Sequence, residues 1–250
     1  MPPKHAFSLV ELSIVLVILG LLAGGVLSGQ SLIHAAELRA VSTEYARYTS
    51  AIFAFREKYM ALPGDMPNAT LFWGKDDTNC TGDTGTAATP GTCNGNGDSI
   101  MGTTNAANTN AEIFRGWQHL ARAGLIEGTY TGQSGPTTPS EWGVPGVNTP
   151  KSRFPNTGWN LWYGGNYPGD DHSYKFDYGN MLRFGPGQVL TPTELWNIDK
   201  KMDDGKPATG KIMAGYWATC TNSKSNSDYA GDYALSTNTP ECTFTVVNAF

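Results

Sequence analysis

Charge is what this chain has least of. Asp, Glu, Lys and Arg make up only 16% of its 250 residues, and 17 basic against 22 acidic side chains leave a formal charge of -5. Lys and Arg form no cluster, and an acidic chain without a basic patch lacks the phosphate contacts that nucleic-acid binding rests on. No nucleic-acid partner is therefore expected. Histidine is scarce as well, with four in all. No Gly-x-Ser-x-Gly, His-Glu-x-x-His, P-loop or dinucleotide fingerprint occurs, and no catalytic residue is expected. The paired carboxylates Asp170 and Asp171 stand in a Gly/Asn-rich loop, where such pairs ordinarily face water. Only four cysteines are present, Cys80, Cys93, Cys220 and Cys242. None has the close Cys or His neighbours that a tetrahedral zinc site needs.

What the chain does have is one long apolar run near its start. From Leu12 to Ile33 no residue carries a formal charge, and at about 1.5 Å per residue a helix of that length spans roughly the 30 Å of a bilayer core. Glu11 sits where the run begins. A carboxylate at the membrane end of an apolar helix is costly and usually functional. Lys4 and His5 lie just outside the run, and positive charge on that flank favours a cytoplasmic N-terminus. The run exceeds the apolar region of an ordinary secretory signal, and Glu11 interrupts it where such signals avoid acid. All four cysteines lie beyond it, on the side where an oxidising compartment would pair them. The 27 Phe, Trp and Tyr residues beyond the run give the remainder enough apolar area for one loop-rich soluble domain rather than a disordered tail.

A short basic leader, the small residue Ala6, the sequence Phe7-Ser8-Leu9-Val10-Glu11-Leu12 and the apolar helix together resemble the processing signal of type IV prepilins and type II secretion pseudopilins. The resemblance implies a leader of residues 1–6, removed by prepilin peptidase between Ala6 and Phe7. Phe7 becomes the mature, N-methylated terminus, and loss of Lys4 takes the formal charge to about -6. It implies that Glu11 meets the free amine of a neighbouring subunit during assembly, each charge relieving the other's desolvation in lipid. Ala6 stands where the family usually has Gly, and Ser28 where a helix-kinking proline is common. Gly24, Gly25 and Gly29 are expected to weaken the helix there instead, each Gly costing about 0.8–1 kcal/mol relative to Ala.

The same resemblance implies an α+β, pilin-like fold, a long N-terminal helix packed on an antiparallel β-sheet with disulfide-bearing loops. Residues 7–33 form the transmembrane and assembly helix, 34–60 its periplasmic half and 61–250 the globular domain. Implied partners are prepilin peptidase, other pilin or pseudopilin subunits and an inner-membrane assembly platform. The implied location is the bacterial inner membrane, with the globular domain periplasmic, and a pilus or pseudopilus after assembly.

Beyond the membrane run, Val41, Tyr45, Tyr48, Ile52, Phe55 and Tyr59 recur at spacings of four and three and predict a helix to about Tyr59 with one apolar face. Glu37, Arg39, Glu44, Arg47 and Glu57 fall largely on its other sides, either a solvated face or a surface for subunit contacts in a filament. Pro63-Gly64 marks its end. Residues 65–108 read as loop, with Asp76, Asp77 and Asp83 near Cys80. The alternating oxygens of Asn94, Asn96 and Asp98 are spaced by glycines as in a calcium loop. Ser99 and Asn105, however, stand where an EF-hand loop carries its turn glycine and bidentate acid. Pairing of Cys80 with Cys93 would close a loop of about 14 residues, worth roughly 3 kcal/mol, although spacing leaves the connectivity open. The resemblance points to Cys220 with Cys242 as a C-terminal bracket.

Thr109 and Glu112 form a capping-box pattern for a second helix, with Ile113, Phe114, Trp117, Leu120 and Ala121 on one face and Gly124 as its stop. His119 on that helix is assigned a surface or packing role. Residues 129–168 are rich in Gly, Pro and Thr, with Trp142, Trp159 and Trp162 read as plugs of small cores under loops. Tyr174, Phe176 and Tyr178 alternate with polar residues, and Met181 to Phe184, Lys211 to Ala218 and Thr243 to Val247 are strand candidates. Thr191-Pro192-Thr193-Glu194 starts a helix through about Met202. At its C-terminus Asp199, Asp203 and Asp204 bring three carboxylates where the macrodipole disfavours them. A bound calcium would remove that conflict, and the resemblance, in which pseudopilins carry calcium near the C-terminal sheet, suggests the same cofactor. The function expected is that of a structural subunit, a minor pilin or pseudopilin. The alternatives are a surface adhesin or carbohydrate-binding module stacking glycans on Trp142 or Trp159, and a membrane-anchored periplasmic protein outside any filament.

Overall fold

A computed structural model describes residues 9–80, 85–102, 112–135 and 143–250. Its first element, α1 (Leu9–Tyr59), is a 51-residue helix shared between two units, Met1–Arg39 and Ala40–Phe250. In the first unit the apolar side chains from Leu9 to Ile33 are exposed. Two hydroxyls inside this run are satisfied locally, Ser13 Oγ donating to the Val10 carbonyl and Ser31 Oγ to that of Ser28, both at 2.9 Å. That is the arrangement a polar side chain needs in an environment without water. The helix passes Gly24, Gly25 and Gly29 without a break. A helix whose hydrogen bonds all lie within one segment tolerates the propensity cost of a few glycines.

In the second unit, α1 buries Val41, Glu44, Tyr48, Ala51, Ile52 and Phe55, the predicted stripe with one acid inside it. Tyr45 and Tyr59 sit at its edges, half-buried. The helix stops at Tyr59 because Met60 turns left-handed, with φ 53°, four residues before Gly64. The chain continues through α2 (Ala69–Trp73), α3 (Glu112–Arg122), β1 (Trp159–Tyr163), β2 (Asn166–Tyr167), β3 (Phe176–Asp177), β4 (Asn180–Phe184), α4 (Pro192–Met202), β5 (Ile212–Gly215), α5 (Trp217–Cys220) and β6 (Thr243–Val246).

Strands β1, β4, β6 and β5 pair in that order, each antiparallel to its neighbour. Period-two alternation puts Trp159, Leu161, Leu182, Phe184, Phe244 and Val246 on one face, all essentially inaccessible to water. Trp159, Phe184 and Phe244 meet ring to ring at 5.1–5.9 Å. Tyr48 of α1 closes on this layer, 6.1 Å from Trp159 and edge-on to Trp117 of α3 at 5.1 Å. Helix α3 reaches β1 through Gly116, where an added Cβ would lie 2.4 Å from Leu161 Cδ1. A larger residue there would have to push Leu161 aside, with Met101 Cε and the Pro63 carbonyl each 3.1 Å away. The fold is thus α+β, a long N-terminal helix on an antiparallel sheet with two disulfides, Cys80–Cys93 and Cys220–Cys242.

Two expectations are corrected here. The loop plug expected around Trp159 is an edge strand, because Trp159 to Tyr163 pair residue for residue with Phe184 to Asn180. The strand expected from Lys211 to Ala218 ends at Gly215, where Tyr216 adopts φ 60° and starts α5. By contrast, α4 carries both bonds of the predicted capping box, Thr191 Oγ1 accepting from Glu194 N and Glu194 Oε2 from Thr191 N.

Candidate functional site

Four features could carry function: the N-terminal segment, a buried glutamate on α1, two acidic clusters and the polar face of α3. Ala6 and Phe7 lie outside the described residues. Glu11 occupies the first turn of α1 and is exposed, a position where the helix dipole favours negative charge. Among the described residues α1 is the one helix long and apolar enough to cross a membrane, with a mean hydropathy of 2.5 over its most apolar stretch.

Glu44 is not on a solvated face. Its side chain is buried, and its carboxylate takes three donors: Ser152 Oγ at 2.7 Å, Arg153 N at 2.8 Å and Trp159 Nε1 at 2.9 Å. A charge is tolerated in such a place when its lone pairs are satisfied. Spacing of apolar residues gave no sign of it, since the donors lie more than a hundred positions along the chain.

The candidate calcium ligands fall into two places. Asp199, Asp203 and Asp204 converge at the end of α4, with one carboxylate oxygen of each within 4.8 Å of the others. Asp199 is fully buried and accepts from Tyr233 OH at 2.6 Å and Gly205 N at 3.2 Å. Burial, only partly offset by the Tyr233 hydrogen bond, pushes its pKa up to about 7. Asp203 accepts from Lys211 N and Ile212 N, and Asp204 from Lys206 N and Thr209 Oγ1. The acids therefore also knit the turn that leads to β5.

In the 94–98 loop the structure joins Asp98 to Asp65 and Glu112 instead of to Asn94, their oxygens again within 4.8 Å. Asn94 turns to α2, its Oδ1 accepting from Thr70 N and Oγ1 at 2.9 and 3.1 Å. Asn96 donates to Asp98 Oδ2 at 2.8 Å. Buried Asp65 gathers Gly97 N, Asp98 N and Ser99 N, and Glu112 takes Asn96 N and Gly102 N. Burial raises the pKa of both Asp65 and Glu112. Thr109, the expected partner of Glu112 in a capping box, lies outside the described residues, as do Asp83 and Asn105. Asp65 and Glu112 carried no ligand signal in the sequence, because they reach Asp98 only through folding.

The inner face of α3 is polar as well as apolar. Arg115, Gln118 and His119 are all buried. His119 Nδ1 accepts from Gly64 N at 2.9 Å, and its Nε2 lies 3.0 Å from Thr92 Oγ1. The Thr92 hydroxyl donates onward to Gln118 Oε1 at 2.6 Å, which leaves its oxygen to accept from His119 Nε2–H. Enclosure, reinforced by the charge of Arg115, drives the His119 pKa down to about 3. A neutral, doubly bonded imidazole packed beside Phe55 and Trp73 is a core group, in line with the packing role expected for it. Trp142 lies outside the described residues. Trp159 is fully enclosed, with its indole N–H spent on Glu44, so it offers no ring face to a glycan.

Residues 1–27 match the family model of the prokaryotic N-terminal methylation motif, the signal of type IV pilins and pseudopilins. No curated protein and no solved structure matches the chain. The motif, the long apolar helix behind it and the α+β layout with two disulfides support a pilin-like precursor and fit membrane anchoring. The motif itself implies processing by prepilin peptidase and assembly with other pilin subunits.

Proposed function

We propose that the protein is a minor pilin or pseudopilin, a structural subunit assembled through its N-terminal helix into a type IV pilus or a type II secretion pseudopilus. Prepilin peptidase removes residues 1–6, and Phe7 becomes the N-methylated terminus. Residues 7–33 hold the subunit in the inner membrane with the N-terminus cytoplasmic. Residues 34–60 continue the helix into the periplasm, and residues 61–250 form the globular domain there. The inner-membrane platform then moves the subunit into the filament, where Glu11 meets the amine of a neighbour. The observation that carries this reading is the motif match over residues 1–27, continued by the uncharged stretch of α1. Calcium belongs to the same reading, at Asp199, Asp203 and Asp204, where the convergence of three carboxylates supports it.

Mass analysis of the mature N-terminus, on protein purified from its native membrane, tests the proposal. A methylated Phe7 is the expected first residue. An intact Met1, or a cut near Ala36, would overturn the reading.

A further inference from the structure

The chain holds two Asn-x-Thr triplets, Asn68-Ala69-Thr70 and Asn79-Cys80-Thr81. Such a triplet is an acceptor of N-glycosylation when its asparagine stands on the surface of an exported domain. The two differ in what the fold leaves free. Asn79 is half-buried, and its Nδ2 donates inward to Asp76 Oδ2 at 2.9 Å, beside the disulfide of Cys80. A glycan on that nitrogen would break this bond. Asn68 is exposed.

An asparagine just ahead of a helix ordinarily accepts from the second or third backbone N–H of that helix. Asn68 precedes α2 and makes no such bond. The donor goes elsewhere: Thr70 N reaches Asn94 Oδ1 at 2.9 Å, and Thr70 Oγ1 reaches the same oxygen at 3.1 Å. Asn94 thus does the work open to position 68 and leaves the Asn68 amide to solvent.

The surface beside Asn68 is apolar. Leu71 and Phe72 follow it at three and four residues, the spacing that puts side chains on one side of a helical turn, and they are 70% and 56% exposed. Phe72 stands edge-on to Tyr59 at 5.4 Å, and the residue after Tyr59, Met60, is 87% exposed. Apolar surface of this kind is a liability to association unless something covers it. A bulky, solubilising group on Asn68 would lie next to it.

We propose that Asn68 is N-glycosylated and that its glycan shields Leu71 and Phe72. In the transfer, Asn68 Nδ2 attacks the anomeric carbon of a glycan carried on a polyprenyl diphosphate. The C–N bond forms and the C–O bond to the diphosphate breaks; the diphosphate leaves with the electron pair, and a base of the transferase takes the amide proton. Thr70 is 2% exposed, so a transferase that reads its hydroxyl acts before the loop of Asn94 closes over it. The proposal rests on the reading that places residues 61–250 outside the cytoplasm.

The test is intact-mass analysis and peptide mapping of the full chain purified from its native membrane. The peptide holding Asn68 should carry a sugar mass, which Asn68→Gln and Thr70→Val should abolish and Thr70→Ser should keep. Asn68→Gln removes no bond of the fold, so its loss of the sugar should come with an unchanged melting temperature and a gain in binding of an apolar fluorescent dye. A bare Asn68 overturns the site, and so does a sugar found on Asn79, or on a serine or threonine, in its place. Unchanged dye binding overturns the shielding role. The same spectra judge the filament reading separately. Methylated Phe7 with a bare Asn68 keeps that reading and removes the site, whereas an intact Met1 with a sugar on Asn68 does the reverse.

Discussion

Trp159 Nε1 donates to Glu44 Oε2 at 2.9 Å, joining the edge strand of the sheet to the inner face of α1. The same oxygen accepts from Ser152 Oγ at 2.7 Å, and Oε1 takes Arg153 N. One carboxylate therefore sets the register between helix, loop and strand at the layer where Tyr48 and Trp159 pack. Apolar contacts alone would allow the helix to slide or rotate against the sheet. A buried acid with three directional donors does not.

Glu44→Ala should accordingly destabilise the globular unit by about 2–4 kcal/mol, because it leaves three buried donors without an acceptor. Glu44→Gln should cost less, since one oxygen remains, but its amide must face a donor. Thermal or denaturant unfolding of both variants measures the difference. An alanine variant as stable as the parent would show that water replaces the carboxylate.

Glu44 also marks the boundary of what the sequence discloses. Helix α1, the apolar stripe from Val41 to Phe55 and the capping box of α4 were legible because each is a local pattern with a fixed period or spacing. Glu44 adjoins that stripe, and its burial is decided by Ser152, Arg153 and Trp159, which no local pattern connects to it. Strand β1 was hidden for a related reason: Trp-Asn-Leu-Trp-Tyr in a Gly/Pro-rich segment becomes a strand through pairing with β4. Asp65 and Glu112 join Asp98 only after two loops and α3 have met. The N-terminal motif was legible in full, since it is a contiguous signal.

His119 should make the fold sensitive to acid. Its pKa is near 3 in the folded protein and about 6.5 in the unfolded chain, so the unfolded state binds more protons between those values. Its contribution to stability is fully present above pH 6.5 and is lost progressively as pH falls toward 3. Melting curves from pH 7 to pH 4 should fall more steeply for the parent than for His119→Gln. Parallel curves would show that the imidazole is protonated inside the fold.

Calcium at the end of α4 should be visible as stability. A ligand bound only by the folded state, at a hundredfold excess over its Kd, adds about 2.7 kcal/mol, which for a domain of this size raises the melting temperature by about 5 °C or more. Chelator should remove that increment in the parent and have little effect on Asp203→Asn, although the variant starts lower because Ile212 N loses a charged acceptor. An unchanged melt of the parent in chelator would rule against calcium at both acidic clusters. A chelator effect that survives Asp203→Asn would move the site to Asp65, Asp98 and Glu112.

Substituting Glu11 should separate anchoring from assembly. Its position in the first turn of α1, ahead of an uncharged run to Ile33, means that Glu11→Ala makes the helix more apolar and cannot weaken partition into a bilayer. Insertion should therefore be retained, and so should cleavage after Ala6 if the peptidase reads the small residue and the apolar run. What the variant removes is the carboxylate that would meet the amine of Phe7 on a neighbouring subunit, a pairing strengthened by the low dielectric of the membrane. Membrane fractionation should find Glu11→Ala at parental levels, whereas sheared filament fractions should be depleted of it by about tenfold, the loss of roughly 1.4 kcal/mol per contact. Glu11→Asp, which keeps the charge on a shorter stem, should restore part of the signal. Incorporation of the alanine variant at parental levels would refute the amine-pairing role, and the motif would then act in processing alone.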